Sequence, residues 1–334
     1  MSTQKLKWGI MGCAGIAKRA VIPGVHLSEW NEVAAIASRN MEQAKQTASE
    51  LNIPVAYGSY EELLQDSSLD VIYIPLPNHL HKEWAIKALE AGKHVLCEKP
   101  IALTAEEAEE MAAVSEKTGK LLAEAFMYRY HPRYELIKQI IDSGEIGELR
   151  GIHSTFTFNN AADTNNVRYK KEWGGGSLYD VGVYPISAAR LLLEREPEAA
   201  TTQAMFSDAH GGVDMMMSGI IEFPGDIALT FDCGMWTAFR NPLEIVGSTG
   251  IIQVPSAYVT PKPGSGNFFV ETSDGRREVV VEHINAYTAQ ADHLAKAIKG
   301  EAKLAFGMSD SIRNMKVVDA CLRSAEERAR IVIS

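Results

Sequence analysis

Three side chains have the types and the setting to move protons. Lys99, in Glu98-Lys99-Pro100, follows the apolar run His94 to Cys97, which reads as a strand, and open α/β sheets bind ligands beyond the ends of their strands. A lysine there can donate or tune protons. Pro100 restricts it to extended dihedrals and stops the strand, so the ammonium is held in a defined direction. Further along, Gly174-Gly175-Gly176-Ser177-Leu178-Tyr179-Asp180-Val181-Gly182-Val183-Tyr184 enters a helix that puts Asp180 and Tyr184 one turn apart on the same face. Read singly, Tyr184 is a core tyrosine with a satisfied hydroxyl and Asp180 a capping or ion-pairing residue. Together with Lys99 they make an acid, a phenol and an ammonium available to one site.

Such groups need a frame, and the N-terminus supplies one. The apolar run Leu6 to Met11 ends in glycine and the pattern turns helical from Ile16, which is the strand, tight turn and helix of a βαβ unit. Gly12-Cys13-Ala14-Gly15, with Ile16 opening the helix, has the small residues that let backbone approach a pyrophosphate, ahead of a helix N-terminus that favours its charge. Against G-x-G-x-x-G/A, Ala14 occupies the second glycine position and Ala17 the third. Glycines end many strands, so the weight comes from the setting between strand and helix.

A second strand, Val33 to Ala37, is followed by Ser38-Arg39, where an NAD-preferring site usually carries Asp or Glu for the ribose hydroxyls. A hydroxyl followed by a guanidinium suits a 2′-phosphate, so NADP is expected over NAD. The bland alternative for Arg39 is a solvated surface ion pair.

From there the pattern alternates: helix Met41 to Leu51, strand Val55 to Tyr57, helix Tyr60 to Leu64, strand Val71 to Ile74, helix Lys82 to Ala91, strand His94 to Cys97, a helix opening at the capping box Thr104-Ala105-Glu106-Glu107, and strand Leu121 to Ala125. This is a doubly wound parallel sheet, a Rossmann domain over residues 1–125. After a helix from Pro132 to Ser143 strands dominate, at Leu149 to Phe158, Ala199 to Phe206, Asp214 to Phe223, Ile227 to Gly234, Pro242 to Val246, Ile251 to Val254, Phe268 to Glu271 and Glu278 to Glu282. With helices at Trp173 to Leu193, Ala286 to Lys299 and Met308 to Arg328, residues 126–334 read as an α+β domain with a mostly antiparallel sheet, its C-terminal helix available to pack back on the first domain.

The 334 residues, 46% of them apolar, can bury an extensive core, and the net charge of -10 argues against nucleic acid or an anionic membrane as partner. Residues 1–7 carry no apolar run behind their positive charges, so a cytoplasmic location is expected. Cys13, Cys97, Cys233 and Cys321 lie too far apart for a disulfide framework or zinc site and read as reduced thiols.

The glycine loop, Asn78 and His81 after Pro75-Leu76-Pro77, Glu98-Lys99-Pro100 and the GGG-x-L-x-D-x-G-x-Y segment, in that order, resemble the Gfo/Idh/MocA oxidoreductase family over roughly residues 6 to 190. The resemblance implies a Rossmann domain joined to an α/β domain whose large open sheet mediates homo-oligomerisation, as a dimer or tetramer. It implies Lys99, Asp180 and Tyr184 as the catalytic set, with tyrosine rather than histidine last, as in branches similar to dimeric dihydrodiol and D-xylose dehydrogenases. Glu124-Ala125-Phe126-Met127-Tyr128-Arg129-Tyr130-His131-Pro132 looks like the same branches. By the same resemblance Leu76, Asn78 and His81 border the nicotinamide, Glu98 holds the cofactor ribose, and Lys99 tunes a phenol whose pKa is ordinarily about 10.

Arg168 and Trp173 suit lid contacts to substrate or cofactor, although a loop cation and a half-buried indole explain them equally well. His79-Leu80-His81 invites a metal, but no acidic or thiolate cluster stands near it and alternate residues of a strand-like stretch point oppositely, so a metal-free site is expected. The expected activity is NADP-linked hydride transfer to or from a sugar or cyclic polyol, with which Asp163, Asn165 and Asn166 are compatible. An NAD-dependent glycosidase, a keto-sugar reductase and a non-catalytic NADP sensor are the alternatives, and the retained Lys99, Asp180 and Tyr184 argue against the sensor.

Overall fold

The computed structural model describes residues 4–334. The chain divides into two compact units, one of residues up to Met127 with Asn285–Ile312, the other of Tyr128–Ile284 with Arg313–Ser334.

In the first unit β1 (Leu6–Met11), β2 (Asn31–Ala37), β3 (Val55–Tyr57), β4 (Val71–Ile74), β5 (His94–Cys97) and β6 (Leu122–Glu124) form a parallel sheet in the order β3-β2-β1-β4-β5-β6. Every residue of β4 is buried, as expected when helices cover both faces. The order reverses between β1 and β4, the switch point at which an open sheet leaves room for a ligand. The helices are α1 (Ile22–His26), α2 (Met41–Glu50), α3 (Tyr60–Gln65), α4 (His81–Glu90) and α5 (Ala105–Thr118). Thr104 caps α5 as its sequence requires, Oγ1 accepting from the Glu107 amide at 3.2 Å. The helix that follows the glycine loop widens into a π turn, Ala17–Val21, before α1.

The second unit is built on β7 (Leu149–Asn159), β8 (Ala199–Ser207), β9 (Val213–Phe223), β10 (Ile227–Gly234), β11 (Trp236–Arg240), β12 (Leu243–Gly247), β13 (Gly250–Val254), β14 (Phe268–Thr272), β15 (Gly275–Val279) and β16 (Ile331–Val332). They pair in the order β15-β14-β13-β12-β7-β10-β9-β8-β16, with β11 also on β7; β7 and β10 run parallel and the other pairs antiparallel. Ile227, Leu229, Phe231 and Cys233 of β10 are buried while Ala228, Thr230 and Asp232 between them are partly exposed, the alternation of a sheet with one covered face. The helices of this unit are α6 (Arg133–Asp142) and α7 (Val183–Leu193). On the covered side Thr202 of β8 bonds the Ser324 hydroxyl and the Cys321 carbonyl of α9 (Met308–Glu327). The open side is a groove of about 940 Å³ lined by His153, Thr230, Ser218, Asp232 and Arg240 among others.

One returning segment completes the first unit. In α8 (Ala286–Ile298), Ala291 and Leu294 share a core with Trp8, Ile10 and Val25. Trp8 Nε1 donates to Asn31 Oδ1 at 2.8 Å, Asn31 Nδ2 donates to Asp292 Oδ1 at 3.2 Å, and Ser28 bonds the same carboxylate.

Two expectations need correction. The single helix from Trp173 is interrupted: Gly174 and Gly176 take φ of 74° and 119°, values closed to a helix, so the helical run starts only past them. The last hairpin strand lies at Gly275–Val279 rather than Glu278 to Glu282, because the turn pairs Thr272 directly with Gly275. Strands β11 and β16 had no expectation. Among the described residues, no helix is long and apolar enough to cross a membrane.

Candidate active site

In the first unit, Gly12 ends β1 with φ 104°, its amide donating to the Ala37 carbonyl at 2.8 Å. A Cβ there would stand 3.1 Å from Leu76 Cδ2, so glycine is required both by conformation and by the close approach of the loop after β4. Cys13 and Ala14 are half-buried, and the helix begins at Gly15 and Ile16, leaving its first amides directed at the loop. Arg19, on the π turn, lies back over this loop: a Cβ on Gly15 would come within 2.7 Å of its Nη1. Small residues, free amides and a cation suit a pyrophosphate.

At the end of β2, Ser38 is buried and Arg39 exposed, and Asn40 caps α2 by accepting from the Glu42 and Gln43 amides. Burial pushes the Tyr60 phenol up, and the nearby Arg39 guanidinium opposes this. No carboxylate stands at this strand end, as a 2′-phosphate requires.

Glu98 and Lys99 are half-buried just beyond β5. Glu98 Oε1 accepts from the Tyr73 hydroxyl at 2.6 Å. Tyr287 of α8 lies in the same field: burial, then Glu98, push its phenol up to about 12, with Arg19 opposing. Asn78 starts a 3₁₀ turn, Asn78–Leu80, that leads into α4, so His79 and His81 do not lie on a strand-like stretch as expected. Among the described residues no group of His, Cys, Asp and Glu could hold a metal ion.

His81 is a correction of a second kind. Its ring is 0% exposed, with Nδ1 2.8 Å from the Pro100 carbonyl oxygen and Nε2 2.8 Å from that of Leu76. A fully enclosed ring acts through the loops it holds. It ties the loop after β4 to the loop after β5, beside Lys99. Burial, above all, and the Lys99 ammonium pull its pKa down to about 4, so the ring is neutral at pH 7 and donates to one carbonyl at a time.

In the second unit Gly175 packs so that a Cβ would lie 2.8 Å from the Lys170 carbonyl oxygen, and one on Gly176 would lie 3.0 Å from Cγ of Asp214. After this turn the chain makes a π turn, Leu178–Gly182, before α7. The amide of Val183 reaches back to the Leu178 carbonyl, which widens the turn that carries Asp180. Arg168 Nε donates to Asp180 Oδ2 at 2.6 Å, and Asp180 holds that guanidinium above its ordinary pKa. Arg168 thus meets an expected catalytic residue, while Trp173 is half-buried at the end of the 3₁₀ turn Lys171–Trp173.

Tyr184 is 7% exposed and its ring is set among Tyr128, Phe156 and Tyr258, with centroids 5.8, 5.1 and 5.2 Å away. These edge-on and tilted contacts fix the direction of the phenol. Tyr128 is placed in turn by Ser187, whose hydroxyl also accepts from Arg129 Nε at 2.9 Å.

Residues 6–126 match the GFO/IDH/MocA oxidoreductase family, NAD-binding Rossmann fold, and residues 134–253 match the GFO/IDH/MocA C-terminal domain. The chain belongs to the GFO/IDH/MocA oxidoreductase family. Among its relatives is a D-xylose 1-dehydrogenase (NADP(+)) of Haloferax volcanii, 36% identical over 98% of this chain and 99% of that protein. A trans-1,2-dihydrobenzene-1,2-diol dehydrogenase of Xenopus tropicalis is 35% identical over 76% of this chain and 77% of its own length. The crystal structure of a 3-ketoreductase from Actinomadura kijaniata, in complex with NADP and TDP-benzene, superposes with a TM-score of 0.91 at 31% identity, over 96% of this chain and 98% of that one. The expected resemblance is therefore correct at the level of the family and of the tyrosine branch.

Sequence reasoning missed Arg19, Tyr60, Tyr287 and Asp214. An arginine four residues past Gly15 was a readable signal; the others take their places only through tertiary packing within their own units.

The GFO/IDH/MocA glycine segment gives a direct test. A Cβ on Gly182 would lie 2.8 Å from Leu178 Cδ1 and 2.9 Å from Cys233 Sγ. Gly182→Ala is expected to lower unfolding free energy by about 1–3 kcal/mol through overpacking. Urea denaturation checks this, and an unchanged midpoint refutes the close packing.

Proposed function

We propose that this oxidoreductase is an NADP-linked dehydrogenase or reductase acting on the CH–OH or carbonyl group of a sugar, cyclic polyol or related compound. The observation that carries the reading is Ser38-Arg39 in place of a carboxylate at the end of β2. Support comes from relatives matched nearly end to end, one an NADP-linked D-xylose dehydrogenase and one a 3-ketoreductase bound to NADP.

In this reading Gly12, Cys13, Ala14, Gly15 and Ile16 hold the pyrophosphate, Ser38 and Arg39 the 2′-phosphate, Leu76 and Asn78 the nicotinamide end, and Glu98 the ribose. When bound, the cofactor supplies a hydride acceptor or donor at its nicotinamide ring. The chain's own work is proton management. Tyr184 Oη gives or takes the proton of the substrate oxygen, Lys99 is a further proton-bearing candidate, and Asp180, held by Arg168, orients the substrate hydroxyl. Arg168 and Trp173 belong to the substrate side.

A keto-sugar reductase is the second reading, favoured by the 3-ketoreductase similarity. It differs in direction, not in machinery. A glycosidase reveals itself by cleaving glycosides with no net change in cofactor, and a sensor by tight NADP(H) binding without turnover of any aldose, inositol or dihydrodiol.

We further propose a homo-oligomer formed through the open sheet face, where Met205, Phe206 and Ile220 are exposed by 54%, 44% and 47%. Sedimentation velocity tests it, and a monomer at micromolar concentration overturns it.

Lys99→Met and Tyr184→Phe are each expected to keep the fold and NADP affinity while lowering hydride transfer by about 10²–10⁴-fold. Near-normal turnover with either would remove that residue from the mechanism. Arg39→Ala is expected to weaken NADP binding by about 10- to 100-fold, the loss of a charge-assisted bond pair, and to leave NAD binding almost unchanged. Fluorescence titration with each cofactor reads this, and equal losses for both would refute the preference for NADP.

A further inference from the structure

We propose that Asp214 is a positioning residue for the segment that carries Asp180 and Tyr184: from β9 its carboxylate grips the Gly176-Ser177-Leu178 turn and fixes where the π turn begins. The proposal rests on the reading of Asp180 and Tyr184 as catalytic.

Asp214 is 3% exposed, and its Oδ2 accepts from Ser177 Oγ at 2.7 Å and from the Leu178 amide at 2.8 Å. Ser177 is 0% exposed and lies 3.5 Å from both the carbonyl oxygen and the Sγ of Cys233 on β10. The groups that face the carboxylate are thus a hydroxyl, backbone amides and a thiol that burial keeps protonated. Gly176 presses its backbone against the same group, since a Cβ there would stand 3.0 Å from Asp214 Cγ.

From this contact a chain of bonds leads to the site. The Asp180 amide donates to the Gly176 carbonyl at 3.1 Å and the Gly176 amide to the Arg168 carbonyl at 3.0 Å, while Arg168 Nε closes the ring on Asp180 Oδ2 at 2.6 Å. Moving the turn at Gly176 therefore moves both partners of the Arg168–Asp180 pair.

A carboxylate is a costly choice for this place. Burial outweighs the hydrogen bonds and pushes its pKa up to about 6. The folded state therefore prefers the protonated acid. The stability this group contributes is full below its ordinary value of about 4 and is lost as pH rises through about 6. At neutral pH the charge works against the fold, and an asparagine of the same shape would still accept from the Ser177 hydroxyl and the Leu178 amide without it. What the charge adds is a strong grip on amides at a helix start, where the dipole favours an anion.

The test is Asp214→Asn, with Ser177→Ala as a second variant that removes one bond and leaves the charge. Three measurements are made: NADP⁺ reduction by D-xylose across about pH 5 to 9, thermal unfolding, and amide exchange over residues 174–184. For Asp214→Asn we expect an unchanged or raised Tm at neutral pH, unchanged NADP affinity, faster exchange over 176–184 and a kcat lower by about 10- to 100-fold. Wild-type kcat is expected to fall below about pH 6, and in Asp214→Asn this fall should be missing. Ser177→Ala should shift kcat and exchange the same way, by less, and keep that fall.

A purely structural role would lower Tm and leave kcat and its pH profile alone. Wild-type kcat and wild-type exchange in Asp214→Asn would overturn the proposal. Tyr184→Phe separates the two claims: normal turnover in it sinks the catalytic reading, whereas a dead Tyr184→Phe beside a normal Asp214→Asn sinks only the role of Asp214. Should wild type not oxidise D-xylose, exchange and melting decide the matter for Asp214.

Discussion

Both units depend on one constraint: a helix has to begin where backbone, with no side chain in the way, makes the contact. In the first unit this happens at Gly12, in the second at Gly174 and Gly176, each with φ that side chains rarely adopt. Soon after each glycine turn the new helix widens into a π turn, Ala17–Val21 and Leu178–Gly182. π turns are uncommon and gather at functional positions. Here the widened turns carry Arg19, lying back over Gly15, and Asp180, paired with Arg168.

Around these turns the two units handle buried polarity differently. The first encloses a neutral imidazole, His81, between two carbonyls and spends no charge on the task. The second encloses a carboxylate, Asp214, against a hydroxyl and an amide. Both arrangements are buried, and each fixes a loop next to a residue with candidate chemistry, Lys99 in one case and Asp180 in the other. Preorganisation of this kind comes from groups that stand behind the reacting ones.

The parallel strands were legible almost to the residue, because a strand covered on both faces is a bare apolar run, as in Val71–Ile74. The places of Gly12, Ser38-Arg39 and Lys99 just past strand ends were legible because the strands before them were. What failed was whatever depends on partners distant in the chain. Gly275–Val279 is an exposed, charged edge strand whose position is set by its hairpin. The enclosure of His81 by carbonyls 5 and 19 residues away has no signature in its own neighbourhood. Asp214 reads as one more residue of a strand, and Ser177 lies 37 residues from it.

The returning helix α8 has a bearing on how the molecule is made. Asp292 bonds Asn31 across 261 residues, and Ala291 and Leu294 complete a core that Trp8, Ile10 and Val25 begin. A ribosome therefore delivers the whole sheet of the first unit long before the segment that seals it. Until then one side of that nascent sheet lacks its cover, and apolar groups destined for burial face water or a chaperone. The unit that begins first in the sequence is among the last to be finished.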